Sequence, residues 1–164
     1  MIEVRTFLKR GKAFVDPEAF SGQIEDTSYI EGAIELSIDH RPLLSREEWD
    51  YVDELWAYLL QGLFQIHAGE DFSTYLPDQP IQVSFHPEAE GQRVRVQVQY
   101  EGKNVEARAD LSSFVHVMAR EARRFFERMQ LLVPFYEHEL DELLRLDSML
   151  SESLRSRRMT RGGP

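Results

Sequence analysis

The sequence predicts a single-domain α+β protein, in which helices cover one face of an antiparallel sheet of about five strands in the order ββ-α-βββ-α-α. Three observations predict this class: several short segments alternate apolar and polar residues, longer segments have helical apolar periodicity, and the chain is 164 residues long. A chain of that length can bury one sizeable core. We expect the domain to occupy residues 1–154 and to be followed by a disordered basic tail, residues 155–164.

Alternation of apolar and polar residues marks the predicted strands, because one face of such a strand is buried and the other is solvated. The segments with this pattern are 2–8, 29–38, 81–86, 93–100 and 105–109. Short turns join the last three, which predicts an antiparallel meander. Between the first two strands, a stretch with Pro, Gly and several acids predicts a loop, and a break is expected at 39–42.

The first helix is predicted to begin after Ser45, because Ser45 and Glu48 have the spacing of a capping box. Apolar residues then recur at intervals of three and four, as on one face of a helix: Trp49, Val52, Trp56, Leu59, Leu63 and Ile66. Gly62 in the helix interior indicates that another backbone packs closely there. Gly69 is expected to end this helix.

Two further helices are predicted near the end of the chain. Asp110 or Ser112 caps the first of them, and Pro134 separates it from the second. Its predicted buried face is Phe114, Met118, Ala122, Phe125, Met129 and Leu132.

The net charge of −10 is distributed unevenly along the chain. Residues 1–154 hold 15 Lys and Arg against 29 Asp and Glu, a net charge of −14, whereas the last ten residues hold four arginines and no acid. Between Arg46 and Arg93 there is no Lys or Arg, but there are ten acids. A surface of one sign attracts a basic partner and repels nucleic acid and anionic membranes. We therefore expect a basic protein partner, no nucleic acid and no membrane.

Several classes of protein are disfavoured by what the sequence lacks. The chain has no cysteine, which excludes disulfides, a thiolate nucleophile, cysteine-ligated zinc and iron–sulfur clusters. It also has no P-loop, Gly-x-Ser-x-Gly, Gly-x-Gly-x-x-Gly or His-Glu-x-x-His motif. No apolar run approaches the length of a membrane span, and the first residues do not resemble a signal peptide. We expect a cytoplasmic protein that is not an enzyme and needs no cofactor.

Two chemical interpretations compete with this expectation. His138 and Glu142 are four residues apart and share a helix face, but a single histidine with carboxylates is too few ligands for zinc. We expect this acidic face to pair with an arginine stripe on the neighbouring helix instead: Arg120, Arg124 and Arg128. Asp71 and Asp78, near Tyr75, are candidates for the acid–base pair of a motif-poor enzyme.

Carboxylates and aromatic residues occur together in two places, and this mixture is typical of an interface with a basic protein. The predicted partner-binding residues on the outward face of the first helix are Asp50, Glu54 and Tyr58. Those in the loop that follows it are Glu70, Asp71, Phe72, Tyr75 and Asp78. For the two loop aromatics, Phe72 and Tyr75, the alternative interpretation is that they cover the core beneath the loop.

In its small size, acidic charge, α+β organisation and lack of a catalytic set, the chain resembles the immunity proteins that bacteria keep beside their protein toxins. That resemblance implies a non-enzymatic protein that binds a basic toxin, such as a nuclease, and blocks it by occlusion. Two other functions remain open from the sequence: a subunit or adaptor of a larger assembly, and a small-molecule-binding domain or motif-poor enzyme.

Overall fold

The computed structural model describes residues 1–162, which form nine strands and three α-helices. The strands are β1 (Ile2–Arg10), β2 (Ala13–Val15), β3 (Glu31–Ile38), β4 (Arg41–Leu44), β5 (Asp50–Tyr51), β6 (Phe72–Tyr75), β7 (Gln82–Glu88), β8 (Arg93–Tyr100) and β9 (Lys103–Asp110). The helices are α1 (Val52–His67), α2 (Leu111–Leu132) and α3 (Glu137–Arg161). The α+β class predicted from the sequence is confirmed.

The strands form two antiparallel sheets, where the sequence predicted one. The first sheet has the order β2-β1-β3-β4 with β5 paired to β3, and the second has the order β6-β7-β8-β9. Edge strands β4 and β9 contact each other without forming a backbone ladder, and Pro42 in β4 has no N–H to donate. The Arg41 guanidinium instead donates a hydrogen bond of 3.0 Å to the Glu106 carbonyl. This side-chain hydrogen bond joins the edges of the two sheets, which share no backbone ladder.

The predicted meander is confirmed in the second sheet. Val83 of β7 lies opposite Val98 of β8, which lies opposite Val105 of β9. The first two of these valines are completely buried, as are Phe85 and Val96, so one face of the meander joins the core. The break predicted at 39–42 is a tight hairpin, because the chain turns at residues 39 and 40 and continues as β4.

The start of α1 differs from the prediction. The capping box of Ser45 and Glu48 is present, but it caps a single helical turn, and α1 begins only at Val52. The chain between the two is extended because β5 pairs with the start of β3. Trp49 therefore precedes α1 and is 37% exposed, which corrects its predicted place on the buried helix face. The other members of that face are buried as predicted: Val52, Trp56, Leu59, Leu63 and Ile66.

Gly62 makes the close contact that its position predicted, but its neighbour is a side chain and not another backbone. A Cβ built at Gly62 lies 2.5 Å from the ring of Phe72. The Phe72 ring in turn lies 5.2 Å from that of Phe85 in the second sheet. The absence of a side chain at Gly62 therefore lets β6 pack directly on α1.

Helix α3 runs parallel to α1. At its start the Tyr136 hydroxyl donates a 3.0 Å hydrogen bond to the carboxylate of Asp53, and farther along the Ser153 hydroxyl lies 3.3 Å from Nε2 of His67. Helix α2 is capped as predicted by Asp110, whose carboxylate accepts from a backbone N–H of the first turn at 2.8 Å. Five of its six predicted core residues are buried: Phe114, Met118, Ala122, Phe125 and Met129; the sixth, Leu132, is half-buried.

The end of α3 includes most of the segment predicted to be a disordered tail. Residues 155–161 are helical with exposed side chains, and residues 163 and 164 lie outside the described part of the chain. None of the helices within residues 1–162 has the length and apolar content needed to cross a membrane.

Candidate functional site

Asp50 is a buried carboxylate that joins the start of α1 to the loop around Asp78. It is 3% exposed, and its two carboxylate oxygens accept hydrogen bonds of 3.1 and 3.0 Å from the backbone N–H of Asp78. One of these oxygens also accepts from the N–H of Tyr51 at 2.7 Å. Its predicted place on the outward face of the first helix is therefore wrong, because β5 turns it inward. Asp50 holds the loop around Asp78 against the start of α1.

Asp50 lies between two places that carry further carboxylates: Asp53 and Glu54 at the start of α1, and Asp78 in the loop that Asp50 holds. Burial raises the pKa of the Asp53 carboxyl above its usual value. Burial also raises the pKa of Glu54, and the negative charges of Asp53 and Asp50 raise it further. Among residues 1–162, no Lys or Arg side chain lies within 4 Å of these three groups; the nearby cation Lys9 instead pairs with Glu31 at 3.5 Å. Negative charge is thus concentrated here without compensation.

Two tyrosines lie on the Asp78 side of Asp50. The rings of Tyr29 and Tyr51 are 5.0 Å apart, and Tyr29 is 56% exposed. Partial burial and the nearby charges of Asp78, Asp50 and Glu31 raise the pKa of the Tyr51 hydroxyl above its usual value. We call the set Tyr29, Glu31, Tyr51, Asp53, Glu54 and Asp78 the acidic surface.

Sequence reasoning missed four members of the acidic surface: Tyr29, Glu31, Tyr51 and Asp53. The available signal was the density of acids and tyrosine at residues 25–31. That stretch lies 20 residues or more from α1 in the sequence, and only the pairing of β3 with β5 brings the two together.

Tyr58 extends the acidic surface along α1. It lies one helical turn after Glu54 and is 39% exposed, so its ring is accessible on the same helix face. Of the three residues predicted on the outward face of the first helix, Glu54 and Tyr58 are therefore at the surface, and Asp50 is not.

The predicted loop residues divide between two places. Asp78 joins the acidic surface, whereas Glu70 and Asp71 follow the far end of α1, which is roughly 24 Å long. Asp71 lies 3.2 Å from Nδ1 of His86. Phe72 is a core residue, 7% exposed, as the alternative interpretation held, and Tyr75 points away from that core and is 59% exposed. The predicted acid–base pair of Asp71 and Asp78 is thus split, because each carboxylate belongs to a different cluster.

The first two turns of α3 continue the negative charge beyond Asp53. Glu137 and Asp141 are exposed there, and Glu142 accepts a 2.6 Å hydrogen bond from Gln61 of α1. Burial, the negative charge of Asp53 and the hydrogen bond to it raise the pKa of the Tyr136 hydroxyl strongly, so that hydroxyl remains a donor to Asp53. The starts of two parallel helices therefore carry carboxylates side by side.

Two of the three arginines in the predicted α2 stripe, Arg124 and Arg128, do not pair with the acids at the start of α3; farther along, Arg123 of α2 pairs with Asp147 of α3. Arg124 lies 3.2 Å from Asp16, and Arg128 donates hydrogen bonds of 2.9 and 3.0 Å to the carbonyls of Pro17 and Phe20. These arginines hold the segment after β2 against α2 and are not available to the acids of α3.

His138 and Glu142 have the helical contact that their spacing predicted, with Nε2 of His138 2.8 Å from the carboxylate. No group of three or more His, Asp or Glu side chains in the described part of the chain is arranged to hold a metal ion. Neither a protein-family model, nor a curated protein, nor a solved structure matches the chain.

Proposed function

We propose that the chain is a non-enzymatic binding protein whose acidic surface contacts and covers a basic protein partner. The observation that carries the proposal is the set of three carboxylates on either side of Asp50, namely Asp53, Glu54 and Asp78, which have no Lys or Arg side chain within 4 Å among residues 1–162. The Asp78 charge also lies near Tyr51, whose ring contacts that of Tyr29. Charges of one sign steer an oppositely charged protein to the surface, and aromatic rings supply the area that is buried on contact.

The raised carboxyl pKa values support a cationic partner in particular. Asp53 and Glu54 are held in surroundings that disfavour their ionised forms. A cation placed beside them stabilises the ionised forms, so partner binding lowers these pKa values and releases protons at mildly acidic pH. The ionised forms of Asp53 and Glu54 are therefore more stable with a cationic partner bound than in the free protein.

The kind of partner follows from the resemblance to bacterial immunity proteins. In this proposal the chain acts in the cytoplasm and blocks a basic toxin by occlusion, with the acidic surface covering the cationic groups that the toxin uses to hold its own anionic substrate. Mutual burial of those charges excludes the substrate without any chemical step.

Affinity capture with charge-matched variants tests the proposal. The surface variant Glu54→Lys/Asp78→Lys and the control variant Glu90→Lys/Glu101→Lys change the net charge equally, and the control positions are exposed on the β7–β8 and β8–β9 turns. We expect the wild type and the control to capture the same protein, with a pI above about 9. We expect the surface variant to lose it. Equal capture by all three proteins contradicts the proposal.

A second function, as a subunit of a larger assembly, is favoured by a different observation. Leu131 and Phe135, at the turn between α2 and α3, are 78% and 69% exposed, and Leu144 is 62% exposed. Exposed apolar side chains of this size are typical of contacts with another chain. Leu131→Ser/Phe135→Ser distinguishes the two functions, because it weakens assembly but leaves capture of a basic protein by the acidic surface unchanged.

A further inference from the structure

A cavity of about 340 Å³ opens beside the acidic surface, where β3 separates from β1. Strands β1 and β3 are paired as far as Leu8 and Gly32. Beyond that pair β1 continues to Arg10 beside β2, whereas β3 begins only one residue before Gly32, at Glu31. The segment that connects β2 to β3 forms the remaining wall of the cavity. The volume lies at the small end of the range for ligand pockets.

The floor of the cavity is apolar and its mouth is anionic. Leu8, Phe20 and Ile30 form the floor and are each less than 9% exposed. Glu25 and Asp26 lie at the mouth and are exposed to solvent.

Tyr29 and Glu31 line the cavity and also belong to the acidic surface. A molecule bound at the surface therefore has direct access to the cavity.

Of the two cations that line the cavity, Lys9 pairs with a carboxylate, whereas Arg10 makes only uncharged contacts. The Lys9 ammonium lies 3.5 Å from the Glu31 carboxylate and 4.3 Å from the centre of the Trp49 ring. The Arg10 guanidinium lies over the Phe20 ring at 5.4 Å and donates a 3.1 Å hydrogen bond to the Ser21 carbonyl. The lining thus holds three carboxylates, Glu25, Asp26 and Glu31, against two cations, and its net negative charge attracts a further cation from outside.

From this arrangement we infer that the cavity receives one cationic side chain, an alkyl stem that ends in a guanidinium or ammonium group, from the basic partner. The inference rests on the proposed function and assigns the anchoring pocket of its interface. The stem packs on Phe20 and Ile30, as long basic side chains pack on apolar surface, and the head remains at the mouth near Glu25, Asp26 and the Tyr29 ring. Charge complementarity and an apolar floor together select this class of group over a neutral or an anionic one.

A pair of small probes tests the cavity directly. The n-butylguanidinium cation has the stem and head of an arginine side chain, and n-butylurea has almost the same shape without the charge. With backbone amide NMR spectra of the full chain, we expect butylguanidinium to shift the signals of Leu8, Phe20 and Ile30. We expect it to bind about tenfold more tightly than butylurea. Equal binding of the two probes, or shifts elsewhere only, overturns the inference.

Charge-removing variants locate the head group. Glu25→Gln/Asp26→Asn is expected to weaken butylguanidinium binding severalfold, while Glu70→Gln/Asp71→Asn, with the same loss of charge at the far end of α1, leaves it unchanged. If both variants weaken binding equally, the probe senses only the net charge, and the cavity assignment is wrong.

Binding of an alternating Gly-Arg decapeptide tests the cavity assignment and the proposed function separately. Binding of spermidine tests the alternative that the cavity takes a free amine and not a protein side chain. Peptide-induced shifts at both the cavity and Tyr51 support both ideas. Shifts at Tyr51, Glu54 and Asp78 without shifts at Leu8 and Phe20 overturn the cavity assignment but leave the proposed function standing. Tighter binding of spermidine than of the peptide overturns the assignment to a protein side chain.

Discussion

The Tyr136 hydroxyl donates a hydrogen bond of 3.0 Å to the carboxylate of Asp53, and this bond joins the start of α3 to the start of α1. The other Asp53 oxygen accepts from the backbone N–H of Glu54 at 2.9 Å. Despite both bonds, burial keeps the pKa of Asp53 above its usual value. The acidic surface therefore costs the folded protein some stability, as is common where side chains are arranged for binding.

Asp53→Asn is expected to stabilise the protein at pH 7. The amide oxygen can accept from the N–H of Glu54, and the amide nitrogen can donate to the Tyr136 hydroxyl, so both contacts persist without the charge. Because the folded-state pKa of Asp53 is raised, the ionised carboxylate destabilises the fold above that pKa, and the cost disappears below the unfolded value of about 4. Urea unfolding should show a gain of at most about 1 kcal/mol at pH 7 that vanishes near pH 4. A gain that persists at pH 4 contradicts this account.

Tyr136→Phe is expected to have the opposite effect. It removes the only hydroxyl donor to a partly buried carboxylate, which costs about 1–3 kcal/mol of unfolding free energy at pH 7. Tyr58→Phe is the matched control, since its hydroxyl has no hydrogen bond within the described residues and its loss should change stability by less than about 0.5 kcal/mol. Equal effects of the two substitutions would show that the bond to Asp53 contributes nothing.

Glu48 makes a buried ion pair that ties the capped turn before β5 to the β8–β9 hairpin. Its carboxylate lies 2.7 Å from the Lys103 ammonium and accepts 2.7 Å and 3.2 Å hydrogen bonds from the hydroxyls of Ser45 and Tyr100. Glu48→Gln leaves the partly exposed ammonium unpaired, and we expect a loss of about 2 kcal/mol at pH 7. Glu47→Gln, the exposed neighbour, is the control and should have little effect.

The pH dependence of this loss has a definite sign. Burial opposes ionisation of Glu48, but the hydrogen bonds and charge of Lys103 and the bonds from Ser45 outweigh it, so its folded-state pKa is lowered. Its stabilising contribution is present above the unfolded value of about 4.3 and is lost as the pH falls through the folded pKa. The difference between wild type and Glu48→Gln should therefore shrink below about pH 4. A difference that grows on acidification would contradict the assigned pair.

Gly62→Ala is expected to destabilise the protein although alanine is the better helix former. The new Cβ would lie 2.5 Å from the Phe72 ring, and such overpacking costs about 1–3 kcal/mol against a propensity gain of about 1 kcal/mol. Thermal unfolding of the double variant Gly62→Ala/Phe72→Leu checks the cause. If relief of the contact does not reduce the effect of Gly62→Ala, the packing explanation fails.

Periodicity predicted the parts of the fold that depend on neighbours in the sequence. The buried faces of α1 and α2 and the three strands of the meander were predicted because each pattern repeats within one element. The capping box at Ser45 was also recognised locally, but the helix that follows it was misplaced. The short strand that delays α1 exists only because β5 pairs with β3, some 20 residues earlier.

The acidic surface was predicted only in part for the same reason. Glu54, Tyr58 and Asp78 were identified from charge and aromatic content. The burial of Asp50 depends on a backbone N–H 28 residues away, and the contact of Tyr29 with Tyr51 depends on strand pairing. Contacts between residues that are far apart in the sequence produce no periodic pattern from which they can be predicted.

The most direct test of the central claim is the association rate of the captured basic partner, measured against ionic strength for the same two charge variants. For the wild type and for Glu90→Lys/Glu101→Lys, the rate constant should fall steeply between about 0.05 M and about 0.5 M salt, as screening removes electrostatic steering. For Glu54→Lys/Asp78→Lys it should be severalfold slower at low salt and nearly independent of salt. An equal rate and an equal salt dependence for all three proteins would contradict the claim that the acidic surface is where the partner binds.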